Sequence, residues 1–236
     1  MGDEHQNPQV NGIDLPRLKR TVCIRFALMI LFFGALFFLP AGTLRYRQAW
    51  IYMLLFFSAA AGVMCWLIKH DPELLARRMR VKEKEPTQRS IIALATIISI
   101  GSYLIPGFDR RFGWSSVPVA AELIAYIIIM LGYGLVVRVL LENRYASRII
   151  EVVRGQKVIT TGPYAVVRHP MYLMAAVMYF FSPLALGSYW GMIPGTLVLI
   201  PLIARILSEE NVLLKGLEGY REYTLRTRYR LIPGIW

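Results

Sequence analysis

Charge, cysteine and histidine are all scarce in this chain. Only 18% of its 236 residues are Asp, Glu, Lys or Arg, against 56% hydrophobic, and the mean hydropathy is positive. That balance excludes an ordinary soluble domain of this length. The two cysteines, Cys23 and Cys65, both fall in long apolar runs, so neither a structural disulfide nor a cysteine-based metal site is expected. Of three histidines, His5 lies in a polar tail and His70 in a loop, leaving His169 in a setting fit for chemistry. No G-x-G-x-x-G follows a strand, which argues against a Rossmann-type cofactor domain. The first apolar run lacks a small-x-small cleavage site and reads as a retained anchor.

Long hydrophobic runs are abundant. Val22 to Leu39, Ala49 to Ile68, Val117 to Leu141 and two stretches between Met171 and Leu207 approach or reach the roughly 17–25 residues that cross a bilayer. Ile91 to Pro106 is a shorter sixth candidate, interrupted by Ser99 and Ser102. The expected fold is therefore all-α: a multi-pass membrane bundle of about six transmembrane helices, closed by a helical hairpin near the C-terminus. Residues 1–20 are expected to be a disordered cytosolic tail, 21–140 four membrane helices, and 141–236 a core with a cytosolic cofactor pocket.

The net charge of +12 reports topology more than a nucleic-acid partner. Lys and Arg number four around the amino terminus, two in the first loop, seven from Lys69 to Arg89, two at Arg110 and Arg111, and six from Arg138 to Arg168. The turn Ser182 to Gly191 then has none, and six follow from Arg205 onward. This alternation fits six spans with both termini cytosolic. The loop His70 to Arg80 is amphipathic, with Leu74, Leu75 and Met79 on one face, and reads as a short helix lying on the membrane.

Two polar motifs stand at the mouths of the last spans. In Gly162-Pro163-Tyr164-Ala165-Val166-Val167-Arg168-His169-Pro170-Met171-Tyr172, Pro163 marks a turn and Pro170 a helix start, with His169 at the cap. A hairpin from Met171 to Leu207 returns Arg205-Ile206-Leu207-Ser208-Glu209-Glu210 to the same face. Arg205 and Glu209, four apart, share a side of the helix, and Glu210 points about 100° away toward a different partner. By itself the Arg205–Glu209 spacing is as well explained by an intrahelical ion pair. An ionisable pair where a helix leaves the bilayer favours function. Beyond it, Arg226, Arg228 and Arg230 alternate up to Leu231-Ile232-Pro233. That pattern suits either a basic tail on anionic lipid, anchored by Tyr223 and Tyr229, or an extended segment folded back over a pocket.

Taken together, GPYAVVRHPMY, RILSEE and EGYREYTLRTRYRLIPGIW resemble the carboxyl-terminal core of the isoprenylcysteine carboxyl methyltransferase family, which is related to phospholipid methyltransferases. The likeness is good from about residue 140 to 236 and looser upstream, where DPELLARRM resembles prokaryotic-type members. It implies a multi-pass membrane enzyme that uses S-adenosylmethionine on a lipophilic acceptor, among membrane lipids. Carried over by position, Gln156, Lys157, Val158, Ile159, Tyr164, His169, Pro170, Met171 and Tyr172 would line the donor site. Glu209 would bind the donor from the last span and Arg205 would face the acceptor. A carboxylate acceptor needs no general base; an amine or thiol would, with Glu209, Glu210 or His169 as candidates. Two other classes compete: an NADPH-dependent membrane reductase of the sterol type, with the three alternating arginines for the 2′-phosphate, and a non-enzymatic membrane protein.

Overall fold

The computed structural model describes residues 9–10, 13–79, 86–146, 149–150, 152 and 155–236. Its architecture is an all-α bundle, with a two-residue antiparallel pair, β1 (Gln9–Val10) and β2 (Ile13–Asp14), ahead of the first helix. Helix α1 (Leu15–Ala41) begins where the Asp14 carboxylate accepts the Arg17 backbone N–H at 3.0 Å, with Pro16 in the first turn. Leu15 to Arg20, expected within the tail, are instead helical, and residues 1–8 and 11–12 of that expectation lie outside the described residues. Gly42, at φ 65°, ends α1 by donating its N–H to the Phe38 and Leu39 carbonyls.

Helices α2 (Arg47–His70), α4 (Pro86–Phe112) and α5 (Val119–Glu142) follow, separated after α2 by the short α3 (Pro72–Arg78). With α1 they make four helices long and apolar enough to cross a membrane. The doubtful span at Ile91 to Pro106 is thus the middle of a 27-residue helix. Leu31, Leu54, Ile97 and Leu131 are about 70% exposed on the outer faces. Apolar exposure on this scale marks a lipid-facing surface. The inner faces of α1, α2, α4 and α5 meet in an aromatic core around Phe33, Phe37, Tyr52, Phe57, Tyr103 and Tyr126. Cys23 and Cys65 are free and exposed on the outside.

The hairpin is present, but its legs are unequal. Helix α6 (Pro170–Ala185) is a shorter apolar helix of 16 residues, packed most extensively against α5. The return leg is broken into α7 (Met192–Leu197) and α8 (Leu199–Gly216). Pro201 explains the break, because its ring lacks an N–H for the Leu197 carbonyl and clashes with it. Gly195 lets α7 press on α6: a Cβ there would stand 2.3 Å from the Tyr179 carbonyl oxygen. Gly195→Ala is expected to destabilise the detergent-solubilised protein by about 1–3 kcal/mol, read as a lowered unfolding midpoint. An unchanged midpoint would show that the two legs do not need this approach.

The described chain runs between the two ends of the bundle six times. At one end Tyr46 donates to the Leu186 carbonyl, Glu122 binds Arg47 and Gln48, and buried Asp109 accepts from Ser115 and Ser188. Those bonds tie the hairpin turn to the α1–α2 and α4–α5 connections. At the other end lie the start of α1, the end of α5 and the polar motifs. There α3 corrects an expectation. It is amphipathic, with Asp71 capping it through the Leu74 N–H, but Leu74 and Leu75 are buried against Val22, Leu67 and Leu140. Arg77 and Arg78 reach the Arg144 and Ala146 carbonyls. Its apolar face covers helix ends instead of lipid, and its arginines hold the start of the loop that leads to the site.

Candidate active site

The Gly162-Pro163 turn forms a single 3-10 turn (Gly162–Ala165), Gly162 taking φ 58°. Pro170 then starts α6 with His169 at its cap, whose carbonyl accepts the Tyr172 and Leu173 N–H groups at 3.0 and 3.1 Å. From α8, Glu209 and Arg205 come up beside this start. Tyr172 joins them, donating its hydroxyl to Glu209 Oε2 at 2.6 Å and accepting from Arg205 Nε at 3.0 Å. Arg205 also donates to Gln88 Oε1 on α4 at 3.2 Å, and the Gln88 amide nitrogen donates to Ser208. Arg205 and Glu209 are thus linked through Tyr172.

Glu210 serves the separate partner that its angle required. Arg168 donates to its Oε1 at 2.6 Å, Arg230 to its Oε2 at 2.7 Å, and His169 Nε2 stands 3.3 Å from Oε1. Burial raises the Glu210 pKa, but the bonds from His169, Arg230 and Arg168 outweigh it and lower it to about 2. Held ionised by three basic groups, Glu210 is a poor proton acceptor, which removes one candidate general base.

The same cluster answers how the C-terminal segment runs. Helix α9 (Tyr220–Arg226) starts after Gly219, and the extended chain beyond it folds back over the Arg168-His169 step. The Arg168 and His169 N–H groups donate to the Tyr229 and Arg230 carbonyls, both at 2.9 Å, and the Arg168 guanidinium binds the Thr227 and Arg228 carbonyls. Arg230 lies 5.2 Å from the centre of the Trp236 ring. Tyr223 is no interfacial anchor: it is buried and donates to the Tyr164 carbonyl at 2.7 Å, while Tyr229 is partly exposed.

These elements line a cavity of about 640 Å³, whose lining residues divide by position into a polar limb at the motif end of the bundle and an apolar limb among the helices. The polar limb is lined by Gln156, Lys157, Val158, Ile159, Tyr164, His169 and Pro170, with Met171, Tyr172, Arg205 and Glu209 toward the junction. The apolar limb runs into the bundle past Phe33 and Leu36 of α1, Ile92, Ala95 and Ser99 of α4, Tyr179 of α6 and Leu202 of α8. Every donor-site and acceptor-site residue expected from the sequence lines this one cavity, while Glu210, a candidate base, does not. Sequence reasoning missed others: Arg78 from α3, Asn143 and Tyr145 after α5, and Tyr220 from α9. Asn143 donates to the Tyr164 hydroxyl at 2.8 Å, and burial pushes the Tyr164 pKa up to about 12. The buried Tyr220 hydroxyl has no hydrogen-bond partner among the described residues. An orphan of that kind on a cavity wall fits a polar ligand.

A family model now bears on this geometry. Residues 121–218 match the phospholipid methyltransferase family. The phospholipid methyltransferase match begins inside α5 and ends just past α8, so it spans α6, the 3-10 turn, Tyr172, Arg205 and Glu209. It supports a membrane methyltransferase. It agrees with the resemblance carried by the two polar motifs, and it takes in α5, the helix against which α6 packs. The C-terminal segment that clasps Arg168 lies beyond the matched residues. No curated protein matches the chain.

Proposed function

We propose that the chain is an S-adenosylmethionine-dependent methyltransferase acting on a lipophilic carboxylate, of the isoprenylcysteine or isoprenoid-acid class. The observation that carries the reading is a single cavity lined by polar motif residues and by apolar helix residues, with the bonded Tyr172, Arg205 and Glu209 also on its wall. A polar limb suits a water-soluble donor, an apolar limb suits a lipid tail, and the junction is where the two would react. In this reading residues 141–236 form the catalytic core, 21–140 contribute the α1 and α4 walls of the apolar limb, and the polar mouth and both termini face the cytosol.

The donor would lie in the polar limb along Gln156 to Ile159, Tyr164 and His169 to Tyr172, with the orphan Tyr220 hydroxyl available to it. It supplies a methyl group on a positively charged sulfur. Glu209, already accepting from Tyr172, would bind the donor from α8 and favour its positive charge. Arg205 would orient an acceptor carboxylate by parallel hydrogen bonds. When bound, the donor would supply its methyl group to a carboxylate oxygen, the electron pair of its C–S bond staying on sulfur. Opposite charges disappear together and no proton has to move. Alignment and exclusion of water then supply much of the rate, and the apolar walls serve both.

Equilibrium binding of S-adenosylmethionine to the purified protein tests the reading, with NADPH as comparison. Saturable donor binding that weakens roughly tenfold to a hundredfold in Glu209→Ala is expected, the loss of a charge-assisted contact. NADPH binding without donor binding would transfer the site to the reductase class, and binding of neither would overturn the enzyme assignment.

A further inference from the structure

Resting on the donor reading, we infer that Tyr220 is a further donor-binding residue, its hydroxyl holding the ammonium at the amino-acid end of S-adenosylmethionine together with the Glu209 carboxylate. Tyr220 opens α9 directly after Gly219, whose φ of 78° turns the chain between α8 and α9, and it is 4% exposed on the cavity wall. Its ring packs with Leu217 and Tyr223 in a cluster that also takes in Val158 and Tyr164. The two tyrosine rings stand 5.7 Å apart, but their hydroxyls differ. That of Tyr223 donates to the Tyr164 carbonyl at 2.7 Å, while that of Tyr220 bonds to nothing among the described residues.

A buried hydroxyl without a partner destabilises the empty protein, and a ligand that completes it is bound more tightly for doing so. Charge decides which group that is. Burial raises the Tyr220 pKa most, Glu210 and Glu209 raise it further, and Arg168 lowers it by less than either. The field at the hydroxyl is therefore negative, so an anionic group is repelled there and a cationic N–H donor is drawn in. The phenol stays protonated, and its neutral oxygen accepts from that donor. Glu210 is already taken by Arg168, Arg230 and His169. Glu209 gives Oε2 to Tyr172, and no bond among the described residues uses its Oε1. The sulfonium of the donor has no N–H, which leaves its primary ammonium as the cation that can bond to both oxygens.

The test titrates three nucleosides on the full chain in detergent, native and Tyr220→Phe. They are S-adenosylhomocysteine, 5′-(3-aminopropylthio)adenosine, which keeps the ammonium and lacks the carboxylate, and 5′-(3-carboxypropylthio)adenosine, which keeps the carboxylate and lacks the ammonium. Tyr220→Phe should weaken the first two roughly tenfold and leave the third within about twofold. Because the variant removes only an unsatisfied group, its unfolding midpoint without ligand should hold or rise. Tyr223→Phe, which loses a bond that is made, should lower the midpoint and so calibrates that reading. A lowered midpoint in Tyr220→Phe, native affinity for S-adenosylhomocysteine, or equal losses on all three nucleosides would overturn the inference, and each leaves donor use standing. A native chain that binds none of the three would overturn the donor reading and the role of Tyr220 with it.

Discussion

Glu210→Ala is expected to cost about 3–5 kcal/mol of stability and to release the C-terminal segment. The substitution leaves the Arg168 guanidinium, 6% exposed, without its carboxylate. An uncompensated buried charge is the costly half of a broken ion pair. Arg230 loses its partner at the same time, and with it the hold on the chain from Thr227 to Trp236. Denaturant or thermal unfolding in detergent measures the first effect, and limited proteolysis after Arg226, Arg228 or Arg230 the second. A stable variant with a protected tail would mean that the backbone bonds of Arg168 and His169 suffice alone.

The same carboxylate sets an acid limit. Its pKa falls from an ordinary 4.5 to about 2 in the folded protein. A depressed pKa contributes stability that is complete above the unfolded value and is lost as the pH falls through the folded one. The native chain should therefore lose about 3 kcal/mol between pH 4.5 and pH 2 from this group, converted at 1.36 kcal/mol per pKa unit. Glu210→Ala should lack that part of the slope.

Tyr172→Phe is expected to lower methyl-transfer kcat/KM by about a hundredfold while leaving the fold intact. Its hydroxyl is the shared contact between Glu209, proposed to bind the donor, and Arg205, proposed to face the acceptor. Without it both side chains lose a restraint on the side where the reactants meet, and misplacement near 1 Å costs on that order. Steady-state kinetics against both substrates, beside donor binding, would separate this from a binding defect. A variant with native kcat/KM would show that α6 and α8 hold the two groups unaided.

Particular residues show what could be read from the sequence. The spans follow from apolar run length, which the order of residues reveals, and the convergence of His169 with Arg205 and Glu209 follows from a hairpin of known length. The separate duty of Glu210 was visible in the helical angle, but its partners were not. Arg168 and Arg230 are brought to it by a fold-back that alternating arginines allow without requiring. For α3 the apolar face was legible and its cover was not, since Leu74 and Leu75 suit lipid and helix ends equally. Pro201 carried the signal for the break after Leu197, and a close reading of that leg would have found it. Gln88 and Asn143 carried none: each lies outside the motifs, and only tertiary packing brings Asn143 to the cavity and Gln88 to Arg205, while Tyr220 stands in a motif that does not tell where its hydroxyl is buried.

The bonds from Glu209 to Tyr172 and back to Arg205, and from Arg205 to Gln88 and back to Ser208, make two loops that share Arg205 and tie α6 and α4 to α8. Loops of fixed side-chain lengths meter the spacing of α4, α6 and α8 as a frame does for an aperture. The spacing of α4 and α6 about α8 beside the cavity is therefore a property of five side chains, open to adjustment one bond length at a time.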